Sequence, residues 1–351
     1  VAKVLSLFSG SLASRVATRL VEEHPDVDSI CLLHFRSPFA KEPESLRQLV
    51  REEWPGAPLR TQSLKREYRR LVDCQRGEAF RLADSCLSCR RLQLGRAVRY
   101  MERVGADYLV TGDVLGENGI GRRNLTGLTE AFGLAGKILR PLCSEEPGSV
   151  GGGLSEWTTI PPGRSRRPEG VVESLARDLG MVTEDPMGCR NRCKLTLPGF
   201  GDRVARLFHE TCFTLNELSL LDFPWYYEVR PDTKIVVTVE DQEKRELQNL
   251  FLPEDVRVYP AAPHGPMTLV RMPWRARDSR GMEEVIRLAA RITTTHLGCS
   301  AAAPVPVYYR FEDENERHLV NVLPFSSTEE IALLDGVDVV PLRGSVVAVT
   351  P

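Results

Sequence analysis

The stretch LFSGSLASRVATRLV, residues 7–21, constrains the fold more than any other part of the chain. An apolar run (Val4, Leu5, Leu7, Phe8) enters a turn of small residues, and the turn opens an amphipathic helix. Backbone amides in a turn before a helix make a concave anion site, which the helix dipole strengthens. The hydroxyls of Ser9, Ser11 and Ser14 add hydrogen-bonding capacity around Gly10. No lysine stands in the Walker position, so this is not an ordinary P-loop.

The same alternation continues downstream. Apolar periodicity predicts strands at 3–8, 29–35, 59–63 and 107–111, and helices at 12–23, 43–53 and 89–104. In the last helix Leu94, Ala97, Val98 and Met101 form an apolar stripe, with Arg96, Arg99 and Arg103 on another face. Strand–helix alternation of this kind reads as a parallel sheet with helices on both faces, whose ligands sit at the carboxyl ends of strands. Residues 7–14 and 111–121 are two such strand-end loops. Residues 148–163 read as an exposed Gly/Pro/Ser-rich loop, and helices are expected at 169–179 and 202–211. Past the aromatic run Phe223-Pro-Trp-Tyr-Tyr227 the texture changes. Strands at 234–239, 267–272, 305–311 and 318–323, with helices at 242–250 and 283–295, predict a smaller α+β domain. The expected boundaries are 1–222 and 226–351. Tyr308, Tyr309 and Phe311 alternate along one strand, with Tyr309 expected to face away from the other two and one face available to stack bases.

Composition narrows the class. With 42% hydrophobic and 27% charged residues the 351-residue chain is of the soluble globular type. No apolar run reaches the roughly 20 residues of a membrane span, and no signal-peptide pattern is visible, so a cytoplasmic protein is expected. Its nine cysteines are then reduced thiols. Two form Cys86-Leu-Ser-Cys89 and two form Cys189-Arg-Asn-Arg-Cys193, both with ligand or redox spacing. The net charge of −2 announces no nucleic-acid partner, but its distribution is uneven. From Cys86 to Arg103 inclusive there are five arginines and one acid, Glu102. Arg164, Arg166 and Arg167 form a second basic patch, able to contact RNA phosphates, and Arg190, Arg192 and Lys194 interleave the second cysteine pair.

Further motifs follow in order: Thr111-Gly112-Asp113-Val114-Leu115-Gly116, then Asn124-Leu125, then Ile138-Leu139-Arg140-Pro141-Leu142. With the Ser-Gly-Ser turn and the Cys86/Cys89 pair, this series resembles the PP-loop ATP pyrophosphatases that thiolate tRNA, of the 4-thiouridine and 2-thiouridine synthase type. The resemblance covers roughly residues 1–220. It implies a HUP-type α/β fold, an ATP site at Ser9, Gly10, Ser11, Ser14, Thr111, Gly112 and Asp113, Mg²⁺, a tRNA substrate, and a sulfur donor protein or inorganic sulfide. The activity it implies is adenylation of a uridine carbonyl oxygen followed by sulfur insertion. Arg164, Arg166 and Arg167 fall where the family has a Gly-Arg-Ser-Arg-like stretch, and Cys193-Lys-Leu-Thr-Leu-Pro198 matches its Cys-x-x-Thr-x-Pro segment. The chain departs from the Ser-Gly-Gly-hydrophobic-Asp-Ser pattern at Ser11 and Ala13, so the metal-holding carboxylate is absent from the loop and Asp113 is the candidate substitute. From about Tyr226 onwards, Asp241–Leu250 and His264-Gly-Pro-Met267 resemble the RNA-binding module NFACT-R.

The cysteines admit three chemistries. Cys86, Cys89 and Cys193 can hold a 4Fe–4S cluster with one iron open. Alternatively, Cys193 can carry a persulfide that Cys86 or Cys89 resolves, its thiolate favoured by Arg190, Arg192 and Lys194. Finally, Cys86, Cys89, Cys189 and Cys193 can bind structural Zn²⁺. Two alternatives to the adenylating sulfurtransferase stand beside it: an RNA-binding pseudoenzyme, and an ATP-independent sulfur carrier or desulfurising enzyme.

Overall fold

The computed structural model describes residues 1–40, 46–64, 82–144, 153–161, 170–181, 193–197, 199–210, 213–276, 278–298 and 303–339. The chain divides into two units, Val1–Thr196 and Leu197–Pro351.

In the first unit β1 (Ala2–Leu7) buries nearly every side chain, as a strand covered on both faces must. It pairs in parallel with β2 (Val27–Arg36) and with β4 (Tyr108–Thr111). Outside these lie β3 (Leu59–Ser63) and β5 (Ile138–Leu139), giving the all-parallel order β3-β2-β1-β4-β5. Period-two alternation divides the core. Val4, Phe8, Ile30, Leu32 and Val110 pack with α1 (Leu12–Glu22) and α2 (Leu46–Glu53) in one apolar cluster. The buried Leu5, Leu33 and Leu109 alternate with them, and α3 (Leu82–Val104) packs on β4, burying Leu94, Ala97 and Met101. On the first face Ser6 and Thr18 share a buried hydrogen bond of 2.8 Å, and Arg15, also buried, pairs with Glu53. Thus the expected parallel sheet is present, and α4 (Arg122–Ala131) and α5 (Val171–Asp178) complete the described helices of the unit. One difference matters below: α3 begins at Leu82, so both Cys86 and Cys89 are helical. Asp84 in its first turn complements the helix dipole and favours the earlier start.

The second unit is built on a seven-stranded antiparallel sheet, order β11-β10-β8-β9-β7-β6-β12. The strands are β6 (Trp225–Val229), β7 (Thr233–Thr238), β8 (Val256–Pro260), β9 (Met267–Arg271), β10 (Val305–Phe311), β11 (His318–Val322) and β12 (Val337–Val339). The short helices α6 (Phe200–His209), α7 (Leu215–Leu220) and α8 (Asp241–Gln248) precede the long α9 (Ser279–Thr295), and α10 (Thr328–Ala332) follows it. Helix α9 lies on β8–β11, where Ala289 and Ala290 allow close approach, and Thr268 and Thr293 bond at 2.7 Å. Elsewhere in this unit, Arg203 is fully buried and donates to the carbonyls of Leu221, Phe223 and Pro224. Lys234 binds Glu210 and Glu217. The end of the aromatic run, Trp225–Tyr227, opens strand β6, with the adjacent Tyr226 and Tyr227 buried on opposite faces of the sheet. The expected facing of β10 is corrected as well. Tyr309 and Phe311, two residues apart, share the face that packs on α9's cluster, and Tyr308 alone lies opposite, against Tyr259.

His296 closes α9. Its ring accepts or donates a 2.7 Å hydrogen bond with Tyr227 Oη and tilts against Trp225, and burial pulls its pKa down to about 4. The folded value lies below the unfolded one, so between these values the unfolded chain binds more protons. The contribution is therefore complete above about pH 6.5 and is lost as pH falls toward 4. Acidification across this window is expected to remove up to about 3 kcal/mol. Denaturant titrations followed by Trp fluorescence should show this slope in the parent protein and a flatter one in His296→Gln.

Candidate functional site

The chemistry-bearing residues of the first unit gather at the carboxyl edge of its sheet. After β1, Gly10 takes a positive φ of 76°, which a side chain resists, and this reverses the chain into α1. Ser11 caps the helix, accepting from the Ser14 amide at 3.3 Å. The loop's hydroxyls engage one another: Ser9 Oγ donates to Ser11 Oγ at 2.9 Å and to Ser14 Oγ at 3.1 Å, and Ser14 Oγ donates to the Ser11 carbonyl. The first amides of α1 and this hydroxyl cluster form a cradle suited to a phosphate-type anion. Gly112, after β4, comes so near that a Cβ there would lie 2.7 Å from the Ser14 backbone and 2.8 Å from Ala13 C. Only glycine lets the two strand-end loops meet this closely.

Thr111 and Asp113 face inward and not into the cradle. Thr111 Oγ1 donates to Asp113 Oδ2 at 2.8 Å, Arg140 Nε donates to the same oxygen at 3.0 Å, and Arg90 pairs with Oδ1. Asp113 and Arg140 are 3% and 2% exposed, and burial lowers Arg140 to about 10, still protonated at neutral pH. Cys143 Sγ donates to the Asp113 carbonyl at 3.1 Å. The Asp113 carboxylate is therefore committed to two guanidiniums and a hydroxyl. Ala13 packs against the apolar cluster of α1. The two positions to which the resemblance assigns the Mg²⁺ carboxylate do not fit it, because Ala13 has none and Asp113 is committed; the exposed Glu117 of the second loop lies near enough to Cys86 to raise that thiol's pKa.

Cys86 and Cys89 lie one turn apart on α3, near the end that opens at the sheet's carboxyl edge. Cys193 arrives from far along the sequence. An antiparallel bridge to Ala40 and a 2.6 Å bond from Lys194 N to the Phe39 carbonyl hold it beyond the end of β2. There it is near enough to Cys86 for its charge to raise the Cys86 pKa. Burial is the larger cause and pushes Cys86 to about 11, with Arg90 pulling the other way. Burial also raises Cys193, outweighing backbone donors at Leu195 and Thr196 and the charge of Lys194. Burial thus favours the neutral thiol at both; of the basic residues expected to favour the Cys193 thiolate, Lys194 is described and burial outweighs it, while Arg190 and Arg192 lie outside the described residues. Cys89 is half-buried and accepts from Gln93 at 3.5 Å. Among the described residues no three or more His, Cys, Asp or Glu side chains are arranged to hold a metal ion. Cys189, Arg164, Arg166, Arg167, Arg190 and Arg192 lie outside the described residues, so the expected fourth ligand and the second basic patch are not placed.

Sequence reasoning missed Arg90 and Arg140 as the partners that claim Asp113. The signal available was the Arg-Pro-Leu motif itself, which reads as a turn until Arg140 is seen to be buried.

A doubly wound α/β sheet with an anion cradle after β1 and two thiols at its carboxyl edge defines the class of the first unit. No protein-family model matches the chain, and no curated protein matches it. Among solved structures it is similar to a 4-thiouridine synthetase–RNA complex with bound ATP, at 21% identity over 51% of this chain and 50% of that one, TM-score 0.33. The chain thus spans about half the length of that synthetase. It is similar to the U34-tRNA thiolase NcsA from Methanococcus maripaludis, solved with its 4Fe–4S cluster, at 14% identity over 55% and 77%, TM-score 0.28. It is also similar to the C-terminal part of the fibronectin/fibrinogen-binding protein from Streptococcus suis, at 12% identity over 74% and 93%, TM-score 0.26. No helix of the described residues is long and apolar enough to cross a membrane.

Proposed function

We propose that this chain is a sulfurtransferase that inserts sulfur into a uridine of RNA, tRNA being the expected substrate, with Cys86 and Cys193 as the reacting pair. The observation that carries this reading is that α3 and the bridge at Ala40 bring Cys86 and Cys193 near enough for their charges to interact, at the carboxyl edge of the sheet that also carries the Ser9–Ser14 cradle. The cradle would hold ATP through Ser9, Gly10, Ser11, Ser14 and the first amides of α1, with Gly112 keeping the second loop in register. ATP would activate the uridine carbonyl oxygen as an adenylate.

A persulfide donor transfers its outer sulfur to Cys193. The Cys193 persulfide attacks the activated ring carbon, and the C–O bond to AMP breaks. Cys86 then attacks the Cys193 sulfur, which releases the thiocarbonyl and leaves a Cys86–Cys193 disulfide. A dithiol reductant returns both thiols. Arg90 lies between Cys86 and Asp113 and offsets the charge of the Cys86 thiolate as it forms. Cys89 belongs to the cluster alternative, in which Cys86, Cys89 and Cys193 would hold 4Fe–4S, and all four cysteines would serve the zinc one. Under the same proposal the second unit is an RNA-binding module.

A second reading drops adenylation. It is favoured by the engagement of Asp113 and the packing of Ala13, which leave neither of these positions able to hold the metal. Incubation of the full chain with a tRNA transcript, ATP and a persulfide donor, read by AMP release and thionucleoside content, separates the two. The leading reading gives one AMP per thionucleoside. Thionucleoside without AMP selects the second, and neither product selects the RNA-binding pseudoenzyme. Ala13→Asp is expected to raise Mg²⁺-dependent AMP release about tenfold or more by restoring a first-turn carboxylate. No gain would mean that the cradle serves another anion.

A further inference from the structure

We infer that β11 is an interaction edge, at which a second copy of this chain adds its own β11, antiparallel, about a twofold axis at Asn321. The strand ends the seven-stranded sheet and pairs with β10 alone. The Pro306 carbonyl accepts from the Ala261 amide at 2.9 Å, so the polar backbone groups of Pro306 and Tyr308 point toward β8. Those of Val305, Val307 and Tyr309 then point toward β11 and engage their opposite residues, Val322, Val320 and His318. It follows that the amides and carbonyls of Leu319 and Asn321 point outward, where no hydrogen bond from the described residues reaches them. Exposed edges are ordinarily guarded by a charge, a proline, a bulge or brevity. The other three sheet edges among the described residues are guarded: β12 is three residues long and carries Asp338, β5 is two residues long, and β3 carries Arg60. From His318 to Leu323 there is no Asp, Glu, Lys, Arg or Pro, and the register with β10 is unbroken.

The side chains of this edge are their own complement. Val320 and Val322 join the α9 cluster, so Leu319, Asn321 and Leu323 fall on the opposite face. Leu319 is 56% and Leu323 49% exposed, beside the exposed Pro306 and half-buried Tyr308 of β10. Two twofold registers keep each side chain on its face and use the outward groups. Centred on Val320, Leu319 meets the partner's Asn321. Centred on Asn321, Leu319 meets the partner's Leu323, Val320 meets the partner's Val322, and the two Asn321 amides meet each other. The second register sets apolar beside apolar and amide beside amide, so it is favoured. Leu323 closes the edge, because its carbonyl also accepts from Arg291 of α9 at 3.0 Å and Pro324 follows. This self-complementarity selects a second copy over a foreign strand. The pairing needs neither RNA nor sulfur chemistry.

Sedimentation velocity of the full chain under a thiol reductant, across a concentration series, is expected to show a reversible monomer–dimer equilibrium. L319K/L323K sets lysine against lysine twice across the axis and is expected to raise the dimer Kd about tenfold or more. L319E/L323E should do the same. An equimolar mixture of the two variants should recover association, because each lysine then meets a glutamate, and recovery also shows that both variants fold. L333K, at a leucine 85% exposed elsewhere, should leave the equilibrium unchanged. In amide exchange of the parent chain, protection that grows with concentration should rise at Leu319 and Asn321 and not at Val320 and Val322, whose amides already face β10. A monomer at every concentration would mean that the edge serves another strand or none, and would overturn the inference. So would a dimer that neither charged variant weakens, or weakened variants that the mixture does not restore.

Discussion

Cys193→Ser is expected to reduce thionucleoside formation on the order of 10³-fold or more, because it removes the sulfur-carrying nucleophile and not merely a packing group. Cys86→Ser should behave differently. It can still accept sulfur at Cys193 but cannot resolve the mixed disulfide, so RNA should accumulate covalently attached to the protein and be released by a thiol. Cys89→Ser is expected to retain most of the activity if the pair acts alone. Quantifying thionucleoside per enzyme by mass spectrometry checks all three. The pH dependence carries a sign: burial favours the neutral thiol and places Cys86 at about 11, so its thiolate fraction grows with pH up to that value. Iodoacetamide alkylation of Cys86 should therefore accelerate about tenfold per pH unit between neutrality and pH 10. A rate that saturates near pH 8 would mean that the thiol is not held neutral by its surroundings.

The second large effect is structural. Asp113→Asn is expected to destabilise the first unit by about 3–5 kcal/mol, because it leaves the buried Arg140 guanidinium without its carboxylate. For a unit of this size that corresponds to a fall in Tm of roughly 6–20 °C. Differential scanning calorimetry measures it, with Arg280→Gln, an exposed i,i+4 pair, as a control expected to stay within about 1 kcal/mol. A small shift for Asp113→Asn would show that solvent reaches the pair and that the carboxylate is open to other ligands.

Much of the first unit was legible because its strands are continuous apolar runs and its helices are amphipathic. Residues 59–63 form the expected strand, and residues 12–23 differ from α1 only in the last residue. The early start of α3 was hidden because residues 82–88 mix polar, small and apolar side chains without a clear helical period. In the second unit β8 and β6 escaped notice: Val256–Pro260 is short and ends in proline, and the tyrosines of β6 are buried on opposite faces, so no alternation shows. At the site, motif order identified the cradle and the cysteines, but not the fate of Asp113. A lone Asp after Thr-Gly looks like a ligand until two arginines, one of them 27 residues away in sequence, are seen to hold it. Nor could spacing reveal that burial outweighs the charge of Lys194 beside Cys193, since desolvation depends on what the fold stacks above the thiol.

The central claim is that Cys86 and Cys193 react with each other during turnover. The measurement that tests it most directly is peptide mapping by mass spectrometry of protein purified without oxygen and stopped after a single turnover with RNA, ATP and persulfide donor, alongside iron, zinc and acid-labile sulfide on the same sample. The account predicts a Cys86–Cys193 disulfide formed in proportion to thionucleoside, persulfide on Cys193 when RNA is withheld, and metal well below one ion per chain. Near four irons and four sulfides per chain, lost together in Cys86→Ala, Cys89→Ala and Cys193→Ala, with no such disulfide at turnover, would contradict it and assign the three thiols to a cluster.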